Sequence, residues 1–129
     1  MEFVDFNLAK KLKEKGFPQH WSDQHYVSEN EYDDVFEVGA KYPVEVIYDY
    51  ISTIAAPTIS QVLKWFRDEN IYCLPWFEQG VDMWFYAICK PTYGCEFPEF
   101  MSKSDYDTYE QAAIAGIEYV LNHLIEDDK

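Results

Sequence analysis

Residues 71–90 alternate aromatic and aliphatic side chains about a short turn, and few folds accommodate such a segment. The arms Ile71–Phe77 and Val81–Lys90 flank Glu78-Gln79-Gly80, a Gly-containing connection that predicts a β-hairpin. In the second arm Met83, Phe85, Ala87 and Cys89 alternate with Trp84, Tyr86 and Ile88. Both faces of that strand are therefore apolar, as in a central strand covered on one side by helices. Pro75 removes a ladder donor from the middle of the first arm, which predicts an edge strand or a bulge there.

Helical periodicity brackets this hairpin. Ile59, Val62, Leu63 and Phe66 recur at i, i+3, i+4 and i+7, and Thr58 with Gln61 forms a capping-box pattern after Pro57. This helix is predicted to end near Asn70. A later helix is predicted over Tyr109–Ile125, capped by Thr108 or Asp107, with Ala113, Ile117, Val120, Leu121 and Leu124 on its buried face. Gly116 costs about 1 kcal/mol relative to Ala in a helix interior, which predicts close approach of another element there. A first helix is expected over Asn7–Lys15, with Asn7 as N-cap, Gly16 in the left-handed C-terminal position and Pro18 barring continuation. Its lysines lie in the last turns, where they favour the negative end of the helix dipole.

Residues 17–57 are less patterned. Tyr26-Val27 reads as a short strand, Ser28–Asp34 as an acidic loop, and Val44–Ile54 more as strand than helix. Trp65 is expected to cover an edge of the core. The expected fold is α+β: a small antiparallel sheet, made of the hairpin at about 71–90 and one or two further strands, packed by about three helices. The 129 residues suit one globular domain with a frayed tail at 126–129.

Charge bears on partners. The net charge is −14, with four lysines against three acids in residues 1–16 and six basic residues against 21 acids in 17–129. Such a body repels phosphate backbones and anionic membrane surfaces and attracts basic proteins and cations. Direct nucleic-acid binding and membrane association are not expected, and solubility alone is a sufficient reason for the acids. Cys73, Cys89 and Cys95 form no close redox or zinc pair, so a reducing cytoplasm is expected. No stretch approaches the roughly 20 apolar residues of a membrane span, and no basic n-region precedes an apolar run.

Ala56-Pro57-Thr58 leading into Gln61-Val62-Leu63-Lys64-Trp65-Phe66-Arg67-Asp68-Glu69 carries one half of a resemblance. Tyr109-Glu110-Gln111-Ala112 leading into Ala115, Ile117 and Leu121 carries the other, and Leu8-Ala9-Lys10-Lys11-Leu12-Lys13-Glu14-Lys15-Gly16-Phe17 fits as well. Together these resemble small uncharacterised proteins carried by phages and other mobile elements of Bacteroidetes, over about half the chain and not its middle. The resemblance implies a setting, a bacterial cytoplasm and an accessory gene, and brings no reaction and no catalytic residues.

No motif specifies a reaction or a cofactor, and none of either is expected. His20 and His25, with Asp23, Glu29 and Glu31, are weak candidates for a metal site, but their spacing fits no stereotyped motif and surface residues in a polar loop are the default. Cys95 pairs on paper with His20, His25 or His123 as nucleophile and base, yet Glu96 beside it raises a thiol pKa, and His123 suits a helix C-terminus. The acids at Glu29, Glu31, Asp33 and Asp34 lack the glycine and terminal Glu of a calcium loop, and the pair Asp105 and Asp107 reads as solvated. The aromatic surplus, eleven Tyr, nine Phe and four Trp, has two readings. Trp76, Phe77, Trp84, Phe85 and Tyr86 serve as cross-strand core pairs, or Trp76, Trp84, Tyr93, Phe97 and Phe100 contribute to an exposed anchor patch for a protein partner. The leading expectation is a non-enzymatic acidic interaction protein. Alternatives are a DNA mimic, which needs carboxylates ordered along a ridge, and a metal-dependent enzyme or binding protein using His20 and His25.

Overall fold

The computed structural model describes residues 3–22, 24–27, 44–45, 53–90 and 100–125. They form three helices and two small antiparallel sheets, an α+β fold. The chain divides into two compact units, Met1–Thr58 and Ile59–Glu126.

In the first unit, helix α1 spans Phe6–Glu14 and buries Phe6, Leu8, Ala9 and Leu12. Its cap is Asp5, whose Oδ1 accepts the Leu8 N–H at 2.8 Å. Asn7 therefore lies inside the first turn, one residue past the observed start, and is not the expected cap. A carboxylate here outcompetes the amide because it also meets the positive end of the helix dipole. The C-terminus closes as expected: Gly16 has φ 96°. The Phe17 N–H donates to Leu12 O at 2.9 Å and the Gly16 N–H to Lys13 O at 3.1 Å, a Schellman motif.

A 3-10 turn at Gln19–Trp21 leads into β1 (Gln24–Val27), which pairs antiparallel with β2 (Val44–Glu45) and β3 (Thr53–Ala55) in the order β2-β1-β3. The single strand expected over 44–54 is instead two short strands, because β2 and β3 flank β1 on opposite sides; residues 46–52, like the expected loop at 28–34, lie outside the described residues. Long-range hydrogen bonds tie the unit together. The Tyr26 hydroxyl donates to Val4 O at 2.6 Å, and its ring meets Phe6 edge-on at 5.7 Å. The buried Ser22 Oγ lies 2.9 Å from both Gln24 O and Ala56 O, so one proton serves two carbonyls.

In the second unit, helix α2 (Ile59–Asp68) buries Ile59, Val62, Leu63, Trp65 and Phe66. Trp65 is enclosed rather than lying at an edge of the core, its ring 5.6 Å from that of Phe66. The helix ends in a second Schellman motif with Asn70 (φ 62°) in the glycine position: Ile71 N–H donates to Phe66 O at 2.8 Å and Asn70 N–H to Arg67 O at 3.0 Å.

Strands β4 (Tyr72–Glu78) and β5 (Met83–Cys89) make the hairpin, and β6 (Phe100–Met101) pairs on the far side of β5. β5 is central, as its two apolar faces require. The connection is one residue longer than expected and shifted. Glu78 pairs with Met83, leaving Gln79–Asp82 as the turn, with Gly80 at φ 95° and Asp82 at φ 59°. Val81 belongs to that turn and is exposed.

Helix α3 (Tyr109–His123) is capped by Thr108, whose Oγ1 accepts the Gln111 N–H at 3.1 Å, while Gln111 Oε1 accepts the Asp107 N–H at 2.9 Å. It ends two residues before the expected Ile125, and Leu124 is only half-buried. α3 packs on β4 and β5, and α2 on α3 and β4. Gly116 sits where helix and hairpin are closest: a Cβ there would lie 2.5 Å from Cys73 Sγ and 3.2 Å from the Tyr86 ring. The glycine at this position is a packing requirement.

Candidate functional site

Strand register sorts the hairpin's rings. The pairs Cys73–Ile88, Pro75–Tyr86 and Phe77–Trp84 share one face, and Tyr72–Cys89, Leu74–Ala87, Trp76–Phe85 and Glu78–Met83 share the other. The first face takes the helices. Cys73, Tyr86 and Ile88 are buried there. Trp84 meets Tyr109 of α3 edge-on at 5.7 Å and Phe77 at 5.4 Å. Tyr119 of α3 stacks on Phe100 at 4.2 Å and 14°.

Burial shapes the chemistry of this covered face. It pushes the Cys73 thiol up to about 12, so the sulfur is a protonated filler rather than a nucleophile at neutral pH. The Tyr86 hydroxyl rises to about 12, chiefly by desolvation and then through Tyr106 and neighbouring groups.

The opposite face is open. Trp76 is 63% exposed, Met101 56% and Leu74 42%. At its turn end lies a hollow of about 820 Å³ whose apolar wall is Trp76, Phe85, Val81 and Met101. Phe77, at the end of β4, borders it, and Glu78, Lys103, Ser102 and Ser104 line its polar side. The polar groups are built into the fold. Ser102 Oγ accepts the Tyr86 N–H at 2.9 Å, and the Ser102 N–H donates to Tyr86 O at 2.9 Å. Ser104 Oγ donates to Glu78 Oε2. Neither histidine nor cysteine lines the hollow among the described residues. The hydroxyls of Ser102 and Ser104 are thus engaged in the fold.

The anchor candidates read from sequence are thus divided. Trp76 stands on the open face, Trp84 and Phe100 contact the helix side, and Tyr93 and Phe97 lie outside the described residues. Phe85, Met101 and Val81 complete the hollow and were absent from that group. Phe85 shares the face of Trp76 in the observed register, where the two are opposite, whereas the three-residue turn expected from sequence would have set Trp76 opposite Asp82.

His20 is exposed on the 3-10 turn. His25 lies on β1, its Nε2 3.0 Å from Ser22 O, which makes Nε2 the donor; its buried Nδ1 has no hydrogen-bond partner. Asp23, Glu29, Glu31, Asp33, Asp34 and Cys95 are outside the described residues. Among the described residues no group of three or more His, Cys, Asp or Glu is placed to hold a metal ion. Nor is any helix among them long and apolar enough to cross a membrane. Compared with known protein families, with curated proteins and with solved structures, the chain matches none.

Proposed function

We propose that this chain is a non-enzymatic interaction protein that contacts a protein partner through the open face of its hairpin sheet. The observation that carries the reading is Trp76, 63% exposed beside an 820 Å³ hollow walled by Phe85, Val81 and Met101. Contiguous exposed apolar surface is uncommon on soluble proteins and concentrates at contact sites, and tryptophan is enriched among the residues that dominate binding energy. The net charge of −14 adds long-range attraction for basic surfaces. An accessory role in a mobile element is the setting that the helix motifs resemble.

Affinity capture from lysate of the producing cell, run in parallel with the wild type and with a Trp76→Ala/Met101→Ser variant, tests the reading. A stoichiometric protein retained by the wild type and lost by the variant is expected. Equal recovery by both chains refutes a role for this face.

A further inference from the structure

We infer that the occupant of the open hairpin face is an amphipathic helix of the partner whose apolar stripe is flanked by basic residues. This rests on the reading of that face as the contact surface and names what it contacts. Three features converge on it.

The first is the sheet's edge. Trp84 exchanges hydrogen bonds with Tyr106 (2.7 and 3.1 Å), and Tyr86 bonds Ser102, so residues 84, 86 and 88 direct their backbone groups toward the β6 side. Residues 83, 85, 87 and 89 therefore face β4, and on β4 the outward-directed positions are 73, 75 and 77. Pro75 occupies the middle of that outward row and has no N–H. A peptide strand adding to β4 meets a missing donor at its centre, which is how natural sheets block edge pairing. The opposite edge, β6, is only two residues long. Strand addition is disfavoured on both sides, and side-chain contact with the face remains.

The second feature is layering. α2 and α3 cover one face of the β4-β5-β6 sheet, and the other carries a row of apolar groups, Leu74, Trp76, Phe85 and Met101, with no element of this unit packed over it among the described residues. An apolar sheet face is stabilised by a packed layer, helix or sheet, and with strand addition disfavoured at both edges a helix is the layer that needs no edge pairing. The hollow of about 820 Å³ beside this row is room for side chains projecting at i, i+3, i+4 and i+7 from a helix laid along the strands.

The third is charge. The charged residues lining the hollow, Glu78 and Lys103, balance each other. The bias comes from the whole chain, whose net charge is −14. Basic flanks on the incoming helix are favoured by that long-range field, and acidic flanks are disfavoured by it.

The test uses the full-length protein and three synthetic peptides of about 18 residues, long enough to hold helix. The first has a Leu stripe at helical spacing flanked by Lys, the second the same stripe flanked by Glu, and the third is the Lys peptide with two central prolines. Binding is followed by backbone and Trp76 indole amide shifts. The Lys helix is expected to perturb Trp76, Val81, Phe85 and Lys103. Its affinity should drop about ten-fold or more on Trp76→Ala or on Met101→Ala, and the Glu and proline peptides should bind about ten-fold or more weakly. Equal binding by the Glu peptide overturns the charge assignment, equal binding by the proline peptide overturns the helix, and shifts elsewhere overturn the location. Nile red, a neutral dye, separates this proposal from the reading beneath it. Dye emission that rises with wild type but not with Trp76→Ala, while no peptide binds, overturns the helix proposal and leaves the contact face standing. Silence from both dye and peptides removes both.

Discussion

Adding one methyl group at Gly116 opposes two known energies of similar size. Alanine is the better helix former by about 1 kcal/mol. Its Cβ would however lie 2.5 Å from Cys73 Sγ and 3.2 Å from the Tyr86 ring. The first distance is below any normal contact, so either Cys73 rotates within a site where it is only 6% exposed or α3 lifts from the hairpin. Overpacking of this kind costs about 1–3 kcal/mol. Gly116→Ala is therefore expected to be destabilising by about 0–2 kcal/mol, the clash cancelling and then exceeding the propensity gain. Cys73→Ala alone should cost about 1 kcal/mol, as for deletion of one buried methyl-sized group. In the Cys73→Ala background the nearer obstacle is gone, and Gly116→Ala should turn neutral or stabilising. Urea unfolding followed by far-ultraviolet circular dichroism, run as a double-mutant cycle, reads the coupling directly. Should Gly116→Ala stabilise the wild-type chain as much as the Cys73→Ala chain, the glycine is not explained by the approach of helix to strand.

Cys73 and Tyr86, raised by burial from ordinary values of 9.0 and 10.0 to about 12 each, keep their protons in the folded state where the unfolded chain has lost them. Their contribution is complete below about pH 9 and is lost as pH climbs toward 12, so urea midpoints should fall between about pH 9 and pH 11, less steeply in Cys73→Ala; a flat profile counts against it. Asp5→Ala should cost about 0.5–2 kcal/mol through the lost α1 cap, and Asn7→Ala much less; the reverse ranking by thermal melting would restore Asn7 as the cap. Tyr26→Phe leaves the buried Val4 carbonyl without its 2.6 Å donor and should cost about 1–3 kcal/mol, with faster hydrogen exchange at Val4, whose own N–H bonds Pro57 O.

Much of the fold is legible because local chemistry and tertiary packing agree. α2 and α3 announce themselves by apolar spacing and flanking Thr58 and Thr108, and β5 by apolar residues at both parities. Gly116 is legible as well, since an unfavourable residue inside a good helix implies a steric reason elsewhere. Where the reading slips, two local solutions compete. Asp5 and Asn7 are both good caps two residues apart, and the choice depends on which start lets Phe6 join Leu8, Ala9 and Leu12 in the buried set. Gln79–Asp82 replaces the expected three-residue turn because Asp82 accepts a positive φ, as Asp and Asn do more readily than other non-glycine residues.

The candidate site was half visible for a reason that lies in periodicity. Composition marks the hairpin as rich in rings but treats Trp76 and Trp84 alike, whereas in an antiparallel pair the face of a residue depends on parity and register together. Register depends on the turn. With Glu78 opposite Met83, Trp76 falls opposite Phe85 and Phe77 opposite Trp84, and the helices then cover the second pair. A β4 paired one residue out of step with β5 would set Trp76 opposite Trp84 or Tyr86 and so bury it under the helices beside Trp84. Cys73 forbids that slip: its small side chain is what allows Gly116 to approach, and the slip would bring Leu74 or Tyr72 into that space. The glycine on α3 and the cysteine on β4 thus fix which tryptophan reaches solvent, and the identity of the open face follows from packing on the closed one.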